Sequence, residues 1–103
     1  MSREAIKHTP GPWLTTESTE HWGRVNVTVQ AAFTANEIAT AWQGTTDVNR
    51  ANARLIAAAP DLLEACELIV SAFDQLAPMS PARNEPLQIN AARAAIAKAR
   101  GEQ

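Results

Sequence analysis

Arg24-Val25-Asn26-Val27-Thr28-Val29-Gln30 is the stretch that decides the fold. Apolar and polar residues alternate without a fault, as in a strand with one face on a core. Val25, Val27 and Val29 are expected to face inward. Upstream, Trp13-Leu14-Thr15-Thr16 reads as a first strand. Thr9-Pro10-Gly11-Pro12 sets it off with a turn. Proline presets φ at the second position of a type II turn, and glycine accepts the positive φ of the third. The polar stretch from Ser18 to Gly23 connects the two strands. Downstream, Thr34-Ala35-Asn36 is a turn signal. Glu37-Ile38-Ala39-Thr40-Ala41-Trp42 then reads as a third strand, with Ile38, Thr40 and Trp42 on one face. Three strands joined by short links form an antiparallel meander. Such a sheet needs helices on its apolar face.

The helices follow. Asp47 is placed to cap a helix from Val48 to about Ala58. Its apolar face is Val48, Leu55, Ile56 and Ala59, with Asn52 among them. Pro60 ends or sharply kinks this helix, and is equally well placed to start another that runs to about Leu76. A loop with Pro78, Pro81 and Pro86, holding Met79 and Arg83, leads to a third helix from Pro86 to about Arg100. The fold class is therefore α+β: a three-stranded antiparallel β-meander followed by two to three α-helices, broken or kinked at Pro60. The expected organisation is one domain over 1–103, with a loose arm at 1–8, the meander at 13–42 and the helical part at 47–100.

The apolar content of 46% excludes a disordered chain. Apolar runs fall far short of the ~18 residues that would suggest a membrane span. Met1-Ser2-Arg3-Glu4-Ala5-Ile6-Lys7 lacks the apolar stretch of a signal peptide. A single cysteine, Cys66, excludes an internal disulfide and fits a reducing compartment. A cytoplasmic location is expected. The net charge of −2 argues against bulk nucleic-acid binding. Asp61, Glu64, Glu67 and Asp74 lie on the second helix, and Arg93, Lys98 and Arg100 on the third. These helices pair side by side or across a dimer, or the bases form a pocket for an anion.

No catalytic seat is visible. His8, His21 and Cys66 lack metal-ligand spacing. Cys66 reads as an inert core thiol. There is no nucleophile elbow, Gly-rich phosphate loop or paired-carboxylate motif. Neither an enzyme nor a cofactor is expected. The candidate binding residues are Trp42, Asn52, Arg50 and Arg54. Asn52 either ties its helix to a neighbouring loop or strand backbone or faces a ligand pocket. Arg50 and Arg54, one turn apart, either lie on a solvated face with Asp47 or Asp61 or grip phosphate oxygens. Trp42 belongs to the core or stacks on a base, and Trp13 and Trp22 have similar standing, Trp22 being the more exposed of the two. The helix over 61–76 carries more apolar surface (Leu62, Cys66, Ile69, Phe73, Leu76) than one small sheet covers, which points to a homo-oligomer.

His8-Thr9-Pro10-Gly11-Pro12-Trp13 together with Asn52-Ala53-Arg54-Leu55-Ile56-Ala57-Ala58-Ala59-Pro60-Asp61-Leu62-Leu63-Glu64-Ala65 resembles a widespread group of small phage and prophage proteins. The order of strands and helices is also similar to the Thoeris anti-defence sponges, oligomeric phage proteins that sequester cyclic ADP-ribose-type signals. The resemblance implies a phage-encoded protein that binds a small anionic nucleotide signal without changing it. Trp42 would stack, Asn52 would bond ribose or base edges, and Arg50 or Arg54 would meet the phosphates. The alternatives are an inhibitor that blocks a host defence protein by contact, like an anti-CRISPR, and an accessory structural or interaction protein of the phage.

Overall fold

The computed structural model describes residues 8–76 and 85–102. The expected arm at 1–8, His8 apart, and the loop with Met79 and Arg83 lie outside the described residues. Three strands precede three helices: β1 (Trp13–Thr19), β2 (Val25–Ala31), β3 (Glu37–Ala41), α1 (Thr46–Ala57), α2 (Ala59–Leu76) and α3 (Leu87–Ala99). The α+β meander read from the sequence is the observed one. The described chain divides between Asp61 and Leu62 into two compact units.

In the first unit β2 is the central strand, antiparallel to both neighbours. Trp13 pairs with Ala31 and Thr19 with Val25 across β1 and β2. The valine alternation works as its period requires. Val27 and Val29 are buried with Ala53 of α1, and Val25, Trp13, Ile38, Ala41, Ile56 and Ala57 pack around them. On the opposite face Thr28 and Thr40, a direct cross-strand pair, share a hydrogen bond of 3.1 Å.

Local details differ from the expectations. β3 carries an irregularity opposite Val29 and Gln30: Gln30 pairs with Glu37, Val29 with Ala39 and Val27 with Ala41. The extra residue, Ile38, packs on the core beside Ala41, while Thr40 lies on the other face. A bulge breaks the period of two, so Ile38, Thr40 and Trp42 do not share a face. Thr45, not Asp47, caps α1: its hydroxyl accepts the Val48 N–H at 3.3 Å. Asp47 sits in the first turn, where its charge favours the positive end of the helix dipole.

The buried face of α1 is also rotated from the one expected. Asn49 and Ala53 are buried and Ile56 and Ala57 pack beside them, whereas Val48, Asn52 and Leu55 are exposed. The small side chain of Ala53 lets the helix lie close on the β2 valines, so the contact face is not the most apolar face. The break near Pro60 is observed. α1 ends at Ala57, and α2 starts at Ala59 with Pro60 in its first turn, where the missing N–H breaks no helical bond.

In the second unit, Val70 of α2 and Ile89 and Ile96 of α3 are buried. Arg93 pairs with Asp74 at 2.5 Å and with Glu85 at 2.7 Å, and Arg100 pairs with Glu67. The acidic and basic helices do pair side by side. Among the described residues no helix is long and apolar enough to cross a membrane.

Candidate functional site

The passage from β3 into α1 is fastened by one side chain. Asn49 is 1% exposed. Its Oδ1 accepts the Gly44 N–H at 2.9 Å and its Nδ2 donates to the Val25 carbonyl at 3.0 Å. One carboxamide thus satisfies a loop donor and a strand acceptor, as a buried amide must. Gly44 makes the closure possible. A Cβ there would lie 2.9 Å from Val48 Cγ1 and 3.1 Å from Asn49 Oδ1. The tie expected as one role for Asn52 is made by Asn49, three residues earlier.

A groove of about 430 Å3 opens over this passage, lined by Trp22, Gly23, Arg24, Gln43, Gly44, Thr45 and Thr46. The tight β1–β2 turn, closed by Gly23 N–H donating to the Glu20 carbonyl at 2.9 Å, presents Trp22 with 71% of its surface exposed. Arg24 donates from Nη1 to the Trp42 carbonyl at 3.3 Å, and it belongs to none of the ion pairs among the described residues. Its charge meets only a neutral oxygen. Thr45 and Thr46 bring the N-terminal end of α1, with its positive dipole end, to the same groove.

The groove lies where a ligand site was expected, but none of the four expected residues lines it. Trp42 is exposed just beyond β3, and Asn52 and Arg54 are exposed on α1. Arg50 makes a bidentate pair with Glu17 of β1, Nε to Oε2 at 2.8 Å and Nη2 to Oε1 at 3.0 Å. This hydrogen bonding holds the Glu17 carboxyl below, and the Arg50 guanidinium above, their usual ranges. Glu17 thus takes the Nε–Nη2 edge of the guanidinium. Trp22 is legible in the sequence as an exposed ring able to stack, but Arg24 is not, because it stands beside a turn with no period linking it to the helix. The signal that could have found it is Trp-Gly-Arg immediately before the alternating strand.

The two motifs singled out in the sequence meet in the first unit. The space a Cβ on Gly11 would take lies 3.2 Å from Pro60 Cβ. Gly11 does not take a positive φ, so the type II turn is not formed. The glycine serves close approach instead. Trp13 Nε1 donates to the Thr9 carbonyl at 3.0 Å, and the His8 ring meets the Trp13 ring edge-on at 6.1 Å.

The second unit has a cavity of about 360 Å3 between α2 and α3, where Arg93 and Arg100 face Asp74 and Glu67. The Arg93 hydrogen bond lowers the Asp74 pKa, and Asp74 and Glu85 raise that of Arg93. These bases are neutralised within the unit, so they form no free anion pocket. Among the described residues no three His, Cys, Asp or Glu side chains are grouped to hold a metal.

The family model for Salmonella phage P22 protein Y8K6 matches residues 1–103. The chain belongs to this phage protein family. No curated protein and no solved structure matches it. Within this Y8K6-family chain, then, the groove over the β3–α1 passage is the candidate binding site. It combines an exposed indole, a cation with no carboxylate partner among the described residues and a helix N-terminus.

Proposed function

We propose that this chain is a phage-encoded binding protein of the host cytoplasm that sequesters an anionic nucleotide signal, of cyclic ADP-ribose type or a cyclic oligonucleotide, without changing it. The observation that carries this reading is the groove over the β3–α1 passage. Its volume of about 430 Å3 is in the range of small-ligand sites. Trp22 supplies a face for a base, a contact worth ~1–3 kcal/mol in nucleic-acid complexes. Arg24 and the N-terminal end of α1 favour phosphate. Trp42 stands next to Gln43 of the lining and its carbonyl accepts from Arg24, whereas Asn52, Arg50 and Arg54 are given no contact with the ligand.

Calorimetry against a panel of cyclic ADP-ribose isomers and cyclic di- and trinucleotides tests the reading. Binding is expected for at least one member. Arg24→Ala should weaken it by tenfold to a hundredfold, the loss of a charge-assisted hydrogen bond of about 1.5–3 kcal/mol. No heat with any member, together with tight capture of a host protein, would replace the sponge by an inhibitor acting through direct contact.

A further inference from the structure

The outer face of α2 carries a repeat that its partner α3 leaves uncovered. Leu62, Ile69 and Leu76 recur every seven residues, and Ala65 and Ala72 follow the first two by three. All five are exposed, as is Leu68 beside them. The four large side chains are between 51% and 63% exposed. The residues that meet α3 or line the cavity beside it, Glu67, Val70 and Asp74, lie on the opposite side of α2. In α1 the same spacing places exposed Val48 and Leu55 seven residues apart, with Ala51 three after the first.

A seven-residue repeat of large and small apolar side chains is the pattern of a two-helix seam. The alternation selects its direction. In a parallel pair of identical helices each layer faces itself, so leucine layers hold the helices apart and alanine layers are left hollow. In an antiparallel pair the large layer of one helix faces the small layer of the other, and the seam closes without voids. We propose that α2 docks on α2 of a second copy of this chain, antiparallel, with the two-fold axis level with residue 67. Leu62 then faces Ala72 of the second copy, Ala65 faces Ile69, and Leu68 meets its own counterpart. Asp61 falls level with Phe73, and Glu67, at the level of the axis, is turned away toward Arg100, so no like charges are brought together.

The area agrees. Four half-exposed aliphatic side chains at on the order of 100 Å2 each, with two alanines, offer about 500 Å2 per copy. Two copies bury about 1,000 Å2, where specific interfaces begin. The seam uses none of the groove residues, so it stands or falls apart from ligand binding.

The test is mass by light scattering over a concentration series reaching about 50 μM, a range that reads micromolar association, followed by cysteine cross-linking. The unaltered chain should have the mass of a dimer or of an assembly built from dimers. Ala65→Lys with Ala72→Lys should reduce it to the monomer with unchanged helical circular dichroism, because both positions are exposed in a single copy. On a Cys66→Ser background, Leu68→Cys should cross-link to its counterpart. Gln75→Cys should not, since it lies about 24 Å along the axis from its counterpart at 1.5 Å per residue. A monomeric unaltered chain, an assembly indifferent to the two lysines, or equal cross-linking at 68 and 75 would each overturn the proposal.

Discussion

Asn49→Ala removes the side chain that ties α1 to both the loop before it and the central strand. Two backbone groups lose their partners, the Gly44 N–H and the Val25 carbonyl. Each buried polar group left unpaired costs about 1–3 kcal/mol. Alanine in a helix interior returns roughly 0.5 kcal/mol of propensity. The net loss is roughly 1.5–5.5 kcal/mol, a large share of the ~5–15 kcal/mol that typically holds a domain folded. At about 4–8 °C per kcal/mol for a unit of this size, the melting temperature should fall by at least ~6 °C. Asn52→Ala is the matched control. It is the same chemical change three residues later on the same helix, at an exposed position. It should be neutral or stabilising by up to about 0.5 kcal/mol. Urea unfolding followed by circular dichroism and tryptophan fluorescence gives both values. An Asn49→Ala protein within ~0.5 kcal/mol of its parent, or an Asn52→Ala protein less stable than Asn49→Ala, would refute the reasoning.

Gly44→Ala should destabilise by about 1–3 kcal/mol through overpacking, since its Cβ would crowd both Val48 and Asn49. The same urea series measures it. Ala35 holds φ at +60° in the β2–β3 connection, so Ala35→Gly should stabilise by up to about 1 kcal/mol despite glycine's greater freedom in the unfolded chain. Acid should weaken both ion-paired regions. The Glu17 and Asp74 carboxyls are lowered in the folded chain by their arginines. Their stabilisation is therefore complete above the ordinary carboxylate range and is lost as pH falls through the folded values. Melting scans between pH 7 and 3 should show this loss. Arg93→Gln should flatten the part due to Asp74, and added salt should shrink the whole effect.

The strands were legible in the sequence because Val25, Val27 and Val29 alternate over a full strand, and nothing but a half-buried strand does that. The α1–α2 break was legible because Pro60 acts through its own covalent structure. What stayed hidden depended on close approach. α1 lies on the sheet through Ala53 and Asn49, so counting apolar residues picked Val48 and Leu55 instead. The bulge at Ile38 leaves no mark that alternation detects. At the candidate site the region was legible, since the link between the last strand and the first helix gathers loop backbone and a helix end. The joining of Trp22 with Arg24 there was not, because both reach it through the β1–β2 turn and not through a shared face. Arg50 shows the converse. Its type suits a phosphate, and no spacing in the sequence links it to Glu17, which takes its Nε–Nη2 edge.

The meeting of Gly11 and Pro60 has an evolutionary consequence. The two positions stand 49 residues apart in the chain and share one small volume. A lineage that enlarges position 11 crowds the pyrrolidine ring at 60, which must then give way locally, and one that replaces the ring gains freedom at 11. The pair should therefore drift together across descendants. Recombination that exchanges the first strand between diverged relatives should succeed only when the helix junction travels with it.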